Sequence, residues 1–98
     1  MEAAVQRINE GVPCALCHMP AERRALHQST DGYLYDCPAC GGRYSIGITA
    51  AKRAANGEAP IGLLADLRHR IANGELPRVE YTAGEWQPLK PVGHQAEP

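Results

Sequence analysis

Hydrophobic and polar residues alternate with a period of two across the cysteine-containing part of the chain, a pattern typical of β-strands. Tyr44 and Ile46 share one face of a predicted strand over residues 43–48. Residues 25–28 and 33–36 flank a segment that ends in Asp31-Gly32, a pair typical of tight turns. The pattern therefore predicts a hairpin and a third strand, which together form a small sheet.

After residue 48 the apolar residues follow a helical spacing. Residues 50–55 are rich in alanine and predict a slim helix, with Thr49 as its N-cap. A second helix, with Pro60 in its first turn, has one apolar stripe. The stripe consists of Leu63, Leu64, Leu67 and Ile71. Both helices are predicted to end at Asn-Gly pairs, at residues 56–57 and 73–74, because such pairs suit a left-handed C-cap.

Three further segments have simpler patterns. Residues 2–10 have apolar residues near helical spacing, which predicts a short amphipathic helix. Residues 78–82 and 85–89 predict a strand or a hairpin. The chain from Lys90 onwards is expected to be a disordered tail.

The composition points to a small domain that needs additional stabilisation. The chain has 98 residues, of which 44% are apolar, but none is phenylalanine. Much of the apolar content is alanine, which buries little area per residue. Domains of this size often depend on a metal or on disulfides. The net charge of −1 excludes the strong positive field of a dedicated duplex-DNA binder.

The beginning of the chain lacks the basic and apolar regions of a signal peptide, and no apolar run is long enough to cross a membrane. We therefore expect a cytoplasmic protein with no membrane partner. Thiols in the cytoplasm are kept reduced, so paired cysteines there indicate metal ligands or redox groups before they indicate disulfides.

The four cysteines form two C-x-x-C pairs separated by nineteen residues. This spacing is within the range of tetrahedral zinc sites. Each pair places two thiolates on one side of a tight turn, and the predicted hairpin between the pairs brings the two turns together. The sequence therefore predicts a zinc ion with a closed shell and a structural role, held by Cys14, Cys17, Cys37 and Cys40.

Other chemistries fit parts of the same pattern. Residues 14–18 match the C-x-x-C-H motif of c-type haem attachment, which would require export from the cytoplasm. A redox pair at residues 37–40 would need a βαβ context that its flanks do not provide. Iron satisfies the same tetrathiolate spacing as zinc. His18 or His27 could also replace one cysteine as a ligand.

The segments from Cys14 to Cys17 and from Cys37 to Gly42 resemble the two knuckles of a zinc ribbon, with a short hairpin between them. The resemblance covers residues 13–48 and implies that the four cysteines bind zinc structurally. His18 occupies a position where ribbons usually have glycine. A treble clef is the alternative fold, but its second cysteine pair opens into a helix, whereas residues 44–48 have a strand pattern.

These observations predict an α+β fold. Three short antiparallel strands form a zinc ribbon over residues 13–48, and two short helices follow over residues 49–74. Residues 1–89 are expected to form a single zinc-stabilised domain, and residues 90–98 the disordered tail.

No assembled acid–base or nucleophile site stands out, so we expect a non-enzymatic module. The layout resembles zinc-binding antitoxin domains, phage-encoded regulators and inhibitors of host machinery, and transcription or translation factors. We therefore expect a regulator, adaptor or inhibitor that binds another protein, and a second copy of the chain is a further candidate partner.

The alternative is a regulator of transcription or translation that binds nucleic acid. Tyr33, Tyr35 or Tyr44 would stack on unpaired bases. The basic side chains that would contact phosphates are Arg23, Arg24, Arg43, Lys52, Arg53, Arg68, Arg70 and Arg78.

Overall fold

A six-stranded sheet with two helices against it forms the body of the protein. The computed structural model describes residues 9–26 and 31–95. Helices α1 (Ile48–Ala55) and α2 (Leu63–Ala72) lie between β4 and β5, and a 3₁₀ turn (Pro38–Cys40) lies between β3 and β4. The strands are β1 (Glu10–Pro13), β2 (Pro20–Ala25), β3 (Tyr33–Cys37), β4 (Gly42–Ile46), β5 (Glu75–Val79), β6 (Tyr81–Thr82), β7 (Glu85–Trp86) and β8 (Lys90–His94).

The sheet has the strand order β1-β2-β3-β4-β5-β8. Its neighbouring strands are antiparallel except for β4 and β5, which are parallel. A parallel pair needs a crossover connection, and α1 and α2 supply it. Strands β6 and β7 form a separate hairpin within the segment predicted to contain one. The predicted combination of strands and helices is present, but the sheet has six strands and not three.

The predicted hairpin is present as β2 and β3, in which Ala25 pairs with Tyr33, and β4 is the predicted third strand. Strand β2 ends at Ala25, so it lies earlier in the chain than the prediction over residues 25–28. The turn residues 27–30 lie outside the described part of the chain. The helix predicted over residues 2–10 also lies outside it, apart from Asn9 and Glu10, and Glu10 is the first residue of β1.

The prediction of disorder from Lys90 onwards is corrected for residues 90–94, which form the edge strand β8. Both edge strands, β1 and β8, contain proline and glycine, which usually weaken a strand. An edge strand is paired on one side only, so it tolerates a missing backbone donor. The composition that indicated a tail is therefore compatible with an edge strand.

The side chain of Gln95 joins the beginnings of β4 and β5. Its Oε1 accepts from the backbone N–H of Arg43 at 2.9 Å, and its Nε2 donates to the carbonyl oxygens of Arg43 and Glu75 at 2.6 and 2.9 Å. The two strands pair directly only further along, at Ser45 and Ile46 of β4. Gln95 thus satisfies backbone groups where the strands do not pair directly.

The helix starts differ from the predictions, whereas the helix ends agree with them. Helix α1 begins at Ile48 with Gly47 as N-cap, so Thr49 is not the cap. Helix α2 begins at Leu63, so Pro60 is not in its first turn. Gly57 and Gly74 follow the two helices with φ of 82° and 87°, the left-handed conformation expected of the Asn-Gly pairs.

The core lies between the helices and one side of the sheet, which we call the core face (Tyr35, Tyr44, Ile46 and Val79). Three alanines of α1 are buried against it: Ala50, Ala51 and Ala54. In α2, Leu67 and Ile71 are buried, while Leu63 and Leu64 are half-buried against the core. The apolar stripe of α2 therefore completes the core. Within residues 9–26 and 31–95, neither helix has the length and apolar character needed to span a bilayer.

Candidate metal centre

The four cysteines meet in one sulfur cluster (Cys14, Cys17, Cys37 and Cys40). All four Sγ atoms lie within 4.8 Å of one another. The Sγ atoms of Cys14 and Cys40 are 3.8 Å apart, and those of Cys17 and Cys37 are 3.5 Å apart. A tetrahedron with metal–sulfur bonds of about 2.3 Å has sulfur–sulfur edges of about 3.8 Å. The cluster could therefore hold a metal ion.

Two similar turns position the sulfurs. In the first, between β1 and β2, the backbone N–H of His18 donates to the carbonyl of Cys14 at 3.0 Å. In the second, between β3 and β4, the N–H of Gly41 donates to the carbonyl of Cys37 at 3.0 Å. His18 has a φ of 66°, so this histidine adopts the left-handed conformation that Gly41 adopts with a φ of 98°. The conformation costs a non-glycine residue about 1 to 2 kcal/mol.

Hydrogen-bond donors surround the sulfurs unevenly. The Sγ of Cys14 accepts from the backbone N–H groups of Leu16 and Cys17 at 3.4 and 3.5 Å, and that of Cys37 accepts from Cys40 at 3.3 Å. The hydroxyl of Tyr44, a fully buried residue, lies 3.0 Å from the Sγ of Cys14. Such donors disperse thiolate charge and orient metal ligands.

The same contacts shift the acidities of these groups. The hydrogen bond with Cys40, together with those from Cys17, Tyr44 and Leu16, lowers the pKa of Cys14 to about 4. The contact with Cys14 raises the pKa of Cys40, and burial raises the pKa of Cys37 to about 11. Burial also raises the pKa of Tyr44, so its hydroxyl stays protonated and donates to sulfur. A bound metal must displace the protons of Cys37 and Cys40, so affinity increases with pH.

His18, considered as a replacement ligand, is not part of this cluster. His18 is exposed, and His27 lies outside the described residues. The structure brings Cys14 and Cys17 to the second pair, whereas haem attachment or a redox pair would use one pair alone. Four thiolates fill a tetrahedral shell and leave no position for a substrate.

The contact between Tyr44 and Cys14 was not part of the sequence prediction. Alternation placed Tyr44 on an inward face of its strand, but its position beside Cys14 depends on the register between β3 and β4, where Tyr44 pairs with Tyr35. Tyr35 and Tyr44 are buried and stacked at 5.3 Å between ring centroids, so they do not offer a ring to a base. Tyr33 is half-buried, and the guanidinium of Arg23 lies 4.1 Å from its ring centroid.

Replacing Tyr44 with phenylalanine is expected to weaken metal binding by about 10- to 100-fold, because the variant keeps the ring but removes a donor to Cys14. Competition with a chelator of known affinity measures this change. Tyr33→Phe is the matched control, since Tyr33 makes its recorded contacts through its ring. Equal affinities of the two variants would contradict a role of the Tyr44 hydroxyl at the metal.

Several basic residues named as phosphate contacts are paired with carboxylates, which compensates their charge. The guanidinium of Arg43 contacts the carbonyl oxygens of His94 and Gln95. Arg24, Lys52 and Arg68 form no ion pair within the described ranges. The pairs are Arg23–Glu10, Arg53–Glu58, Arg70–Glu75 and Arg78–Glu80, at 2.8, 2.8, 3.2 and 2.5 Å.

The side of the sheet opposite the core face carries a groove, and a second groove adjoins it between the start of α1 and the β6–β7 hairpin. Arg24, Leu34, Ser45 and Arg78 are successive cross-strand partners, so they project from this side. The grooves have volumes of about 610 and 590 Å³. We define the open face by the residues Arg24, Leu34, Ser45, Leu76, Arg78 and Val92.

Arg78 lines both grooves, and each of its three guanidinium nitrogens donates a hydrogen bond. Its Nε donates to Glu80 at 2.5 Å, its Nη1 to the buried hydroxyl of Ser45 at 2.7 Å, and its Nη2 to the carbonyl of Asp31 at 3.0 Å. The side chain is only 12% exposed. Arg78 therefore anchors the β2–β3 loop to β5 and has little capacity to bind a phosphate.

Comparisons of the chain with protein-family models, with characterised proteins and with solved structures found no match.

Proposed function

We propose that this chain is a non-enzymatic zinc-stabilised module that binds another protein through its open face. The single observation that carries this proposal is the unequal covering of the sheet. Both helices and the sulfur cluster pack on the core face, while the open face carries a groove of about 610 Å³. This volume is typical of a ligand pocket.

The metal part of the proposal rests on the sulfur cluster. The sulfur–sulfur distances fit the edges of a zinc tetrathiolate, and the two turns resemble zinc knuckles on a hairpin. A closed shell of four thiolates favours a structural metal and no catalysis. Zinc is the ion we propose, since four thiolates in a tetrahedron suit zinc. Iron is the alternative, and metal analysis distinguishes the two ions.

The chemistry of the open face favours a protein segment as its occupant. Leu34 and Val92 supply apolar surface beside the largely buried Leu76, and Val92 is 55% exposed. The charged groups that line the first groove are two arginines and two acids, so their formal charges cancel. A nucleic acid requires uncompensated positive charge, whereas a peptide with apolar side chains does not.

The test is comparative capture with the tagged full-length protein and two variants, from an extract of the native host. Val92→Asp places a charge on the open face, and Met19→Asp changes a residue of similar exposure, 52%, at the first cysteine turn. We expect Val92→Asp to reduce recovery of the captured protein at least about tenfold, because burying an unpaired charge at an interface is costly. Met19→Asp should leave recovery unchanged.

Two results would contradict this proposal. The first is equal recovery with Val92→Asp and with the unchanged protein. The second is binding to mixed RNA and DNA at low salt with a steep loss at moderate salt, which is the signature of phosphate contacts and supports the nucleic-acid alternative.

A further inference from the structure

We infer that Cys17 is a modification site for soft, uncharged electrophiles and that the other three sulfurs of the cluster are protected from them. This inference rests on the metal centre in the proposed function. It concerns the chemistry of one corner of the cluster and is independent of the open face.

Access differs sharply among the four sulfurs. Cys14, Cys37 and Cys40 are 1%, 0% and 3% exposed, whereas Cys17 is half-buried. Cys17 ends the first turn and is followed by His18 and Met19, both exposed. Of the four cysteines, Cys17 is therefore the residue that a reagent in solution reaches first.

Hydrogen bonding adds to the difference between Cys17 and two of the other cysteines, Cys14 and Cys37, whereas Cys40 is distinguished from Cys17 by its burial alone. The Sγ of Cys14 has three donors, two backbone N–H groups and the Tyr44 hydroxyl, and the Sγ of Cys37 has one. A donor withdraws electron density from a thiolate and makes it a poorer nucleophile. Cys17 receives no N–H or O–H donor from the described residues, and its recorded contact is with the Sγ of Cys37 at 3.5 Å. Its sulfur thus keeps more nucleophilic character than that of Cys14.

The surface next to Cys17 in the chain, at His18, suits a neutral, apolar reagent, although Cys17 itself does not line it. A shallow groove of about 330 Å³ adjoins the first turn. It is lined by Gly11, Val12, Pro13, His18, Pro20 and Ala21, none of which is an acid, lysine or arginine. An uncharged α,β-unsaturated carbonyl compound is the class of electrophile that fits.

The reaction is a conjugate addition. A lone pair of the Cys17 sulfur attacks the β-carbon and forms a C–S bond, and the electron pair of the C=C bond moves to the carbonyl as an enolate. The enolate then takes a proton from water. The product is a neutral thioether, which is a weaker metal ligand than a thiolate. Modification of Cys17 would therefore weaken one of the four metal–sulfur bonds and lower the affinity for the metal.

The experiment treats the metal-loaded, full-length protein with less than one equivalent of N-ethylmaleimide and locates the adduct by peptide mass spectrometry. We expect at least about tenfold more adduct on Cys17 than on any other cysteine, with metal released in parallel. The protein unfolded in denaturant with a chelator is the control and should react at all four cysteines alike.

The possible outcomes separate the two proposals. Adduct spread evenly over the four cysteines, or found first on Cys14, Cys37 or Cys40, would overturn the inference about Cys17 while leaving the metal centre intact. Failure of the reduced protein to bind a stoichiometric metal, measured before the alkylation, would overturn the metal centre and the inference with it.

Discussion

Replacing Cys37 with serine is expected to abolish cooperative folding of the protein at 25 °C. Cys37 is fully buried, ends β3, and accepts a hydrogen bond from the backbone N–H of Cys40, so it links the sheet to the second cysteine turn. Structural zinc contributes about 10 to 16 kcal/mol of apparent binding free energy in small zinc fingers, and a whole domain is stable by only about 5 to 15 kcal/mol. Losing one of four thiolates therefore removes an amount comparable with the total stability.

Urea unfolding followed by circular dichroism measures this effect. Ala39→Ser, an exposed substitution in the same 3₁₀ turn, is the matched control and should stay within about 0.5 kcal/mol of the unchanged protein. Removing the metal from the unchanged protein with a chelator should reproduce the Cys37→Ser result. A Cys37→Ser protein that unfolds at the same urea concentration as Ala39→Ser would refute the structural role of the metal.

Replacing Gly32 with alanine should destabilise the protein by about 2 to 5 kcal/mol. Gly32 is buried with a φ of 108°, a conformation that a residue with a Cβ adopts at a cost of about 1 to 2 kcal/mol. A Cβ at this position would also clash with the carbonyl oxygen of Ile46 and lie 2.9 Å from the Cα of Gly47. Overpacking of this kind typically adds about 1 to 3 kcal/mol, and here the clashing atoms belong to the backbone.

Gly57→Ala is the matched control for this prediction. Gly57 has a similar positive φ, 82°, but a Cβ there would meet no atom within 4 Å. It should therefore show only the conformational penalty, about 1 to 2 kcal/mol. Both free energies of unfolding are measured by urea titration with saturating metal. If the two variants lose equal stability, the close approach of the β2–β3 loop to the end of β4 is not as described.

The sequence was most informative where chemistry is local. A C-x-x-C pair sets the relation of its two sulfurs within one turn, and the hairpin between the pairs is visible in the alternation and in Asp31-Gly32. All four predicted ligands therefore come together in the structure. The ends of both helices could also be predicted from the sequence, because an Asn-Gly pair suits a left-handed cap in almost any context.

Features that depend on long-range pairing could not be predicted in this way. Strand β8 contains proline and glycine and is a strand because it pairs with β5. No local sequence pattern indicates that β5 is its partner. The position of Gln95 between β4 and β5 and the contact of Tyr44 with Cys14 likewise depend on tertiary structure. The basic residues could be identified from the sequence. Three of them pair with carboxylates that lie five or more residues away along the chain, and these partners could not be predicted.

X-ray absorption spectroscopy of the purified, reduced protein, combined with metal analysis, would identify the ion and the ligands of the sulfur cluster. We predict one zinc ion per chain with four sulfur neighbours at about 2.3 Å and no nitrogen or oxygen ligand. A metal content well below one per chain, or a first shell containing nitrogen or oxygen, would contradict the closed tetrathiolate centre on which the proposed module depends.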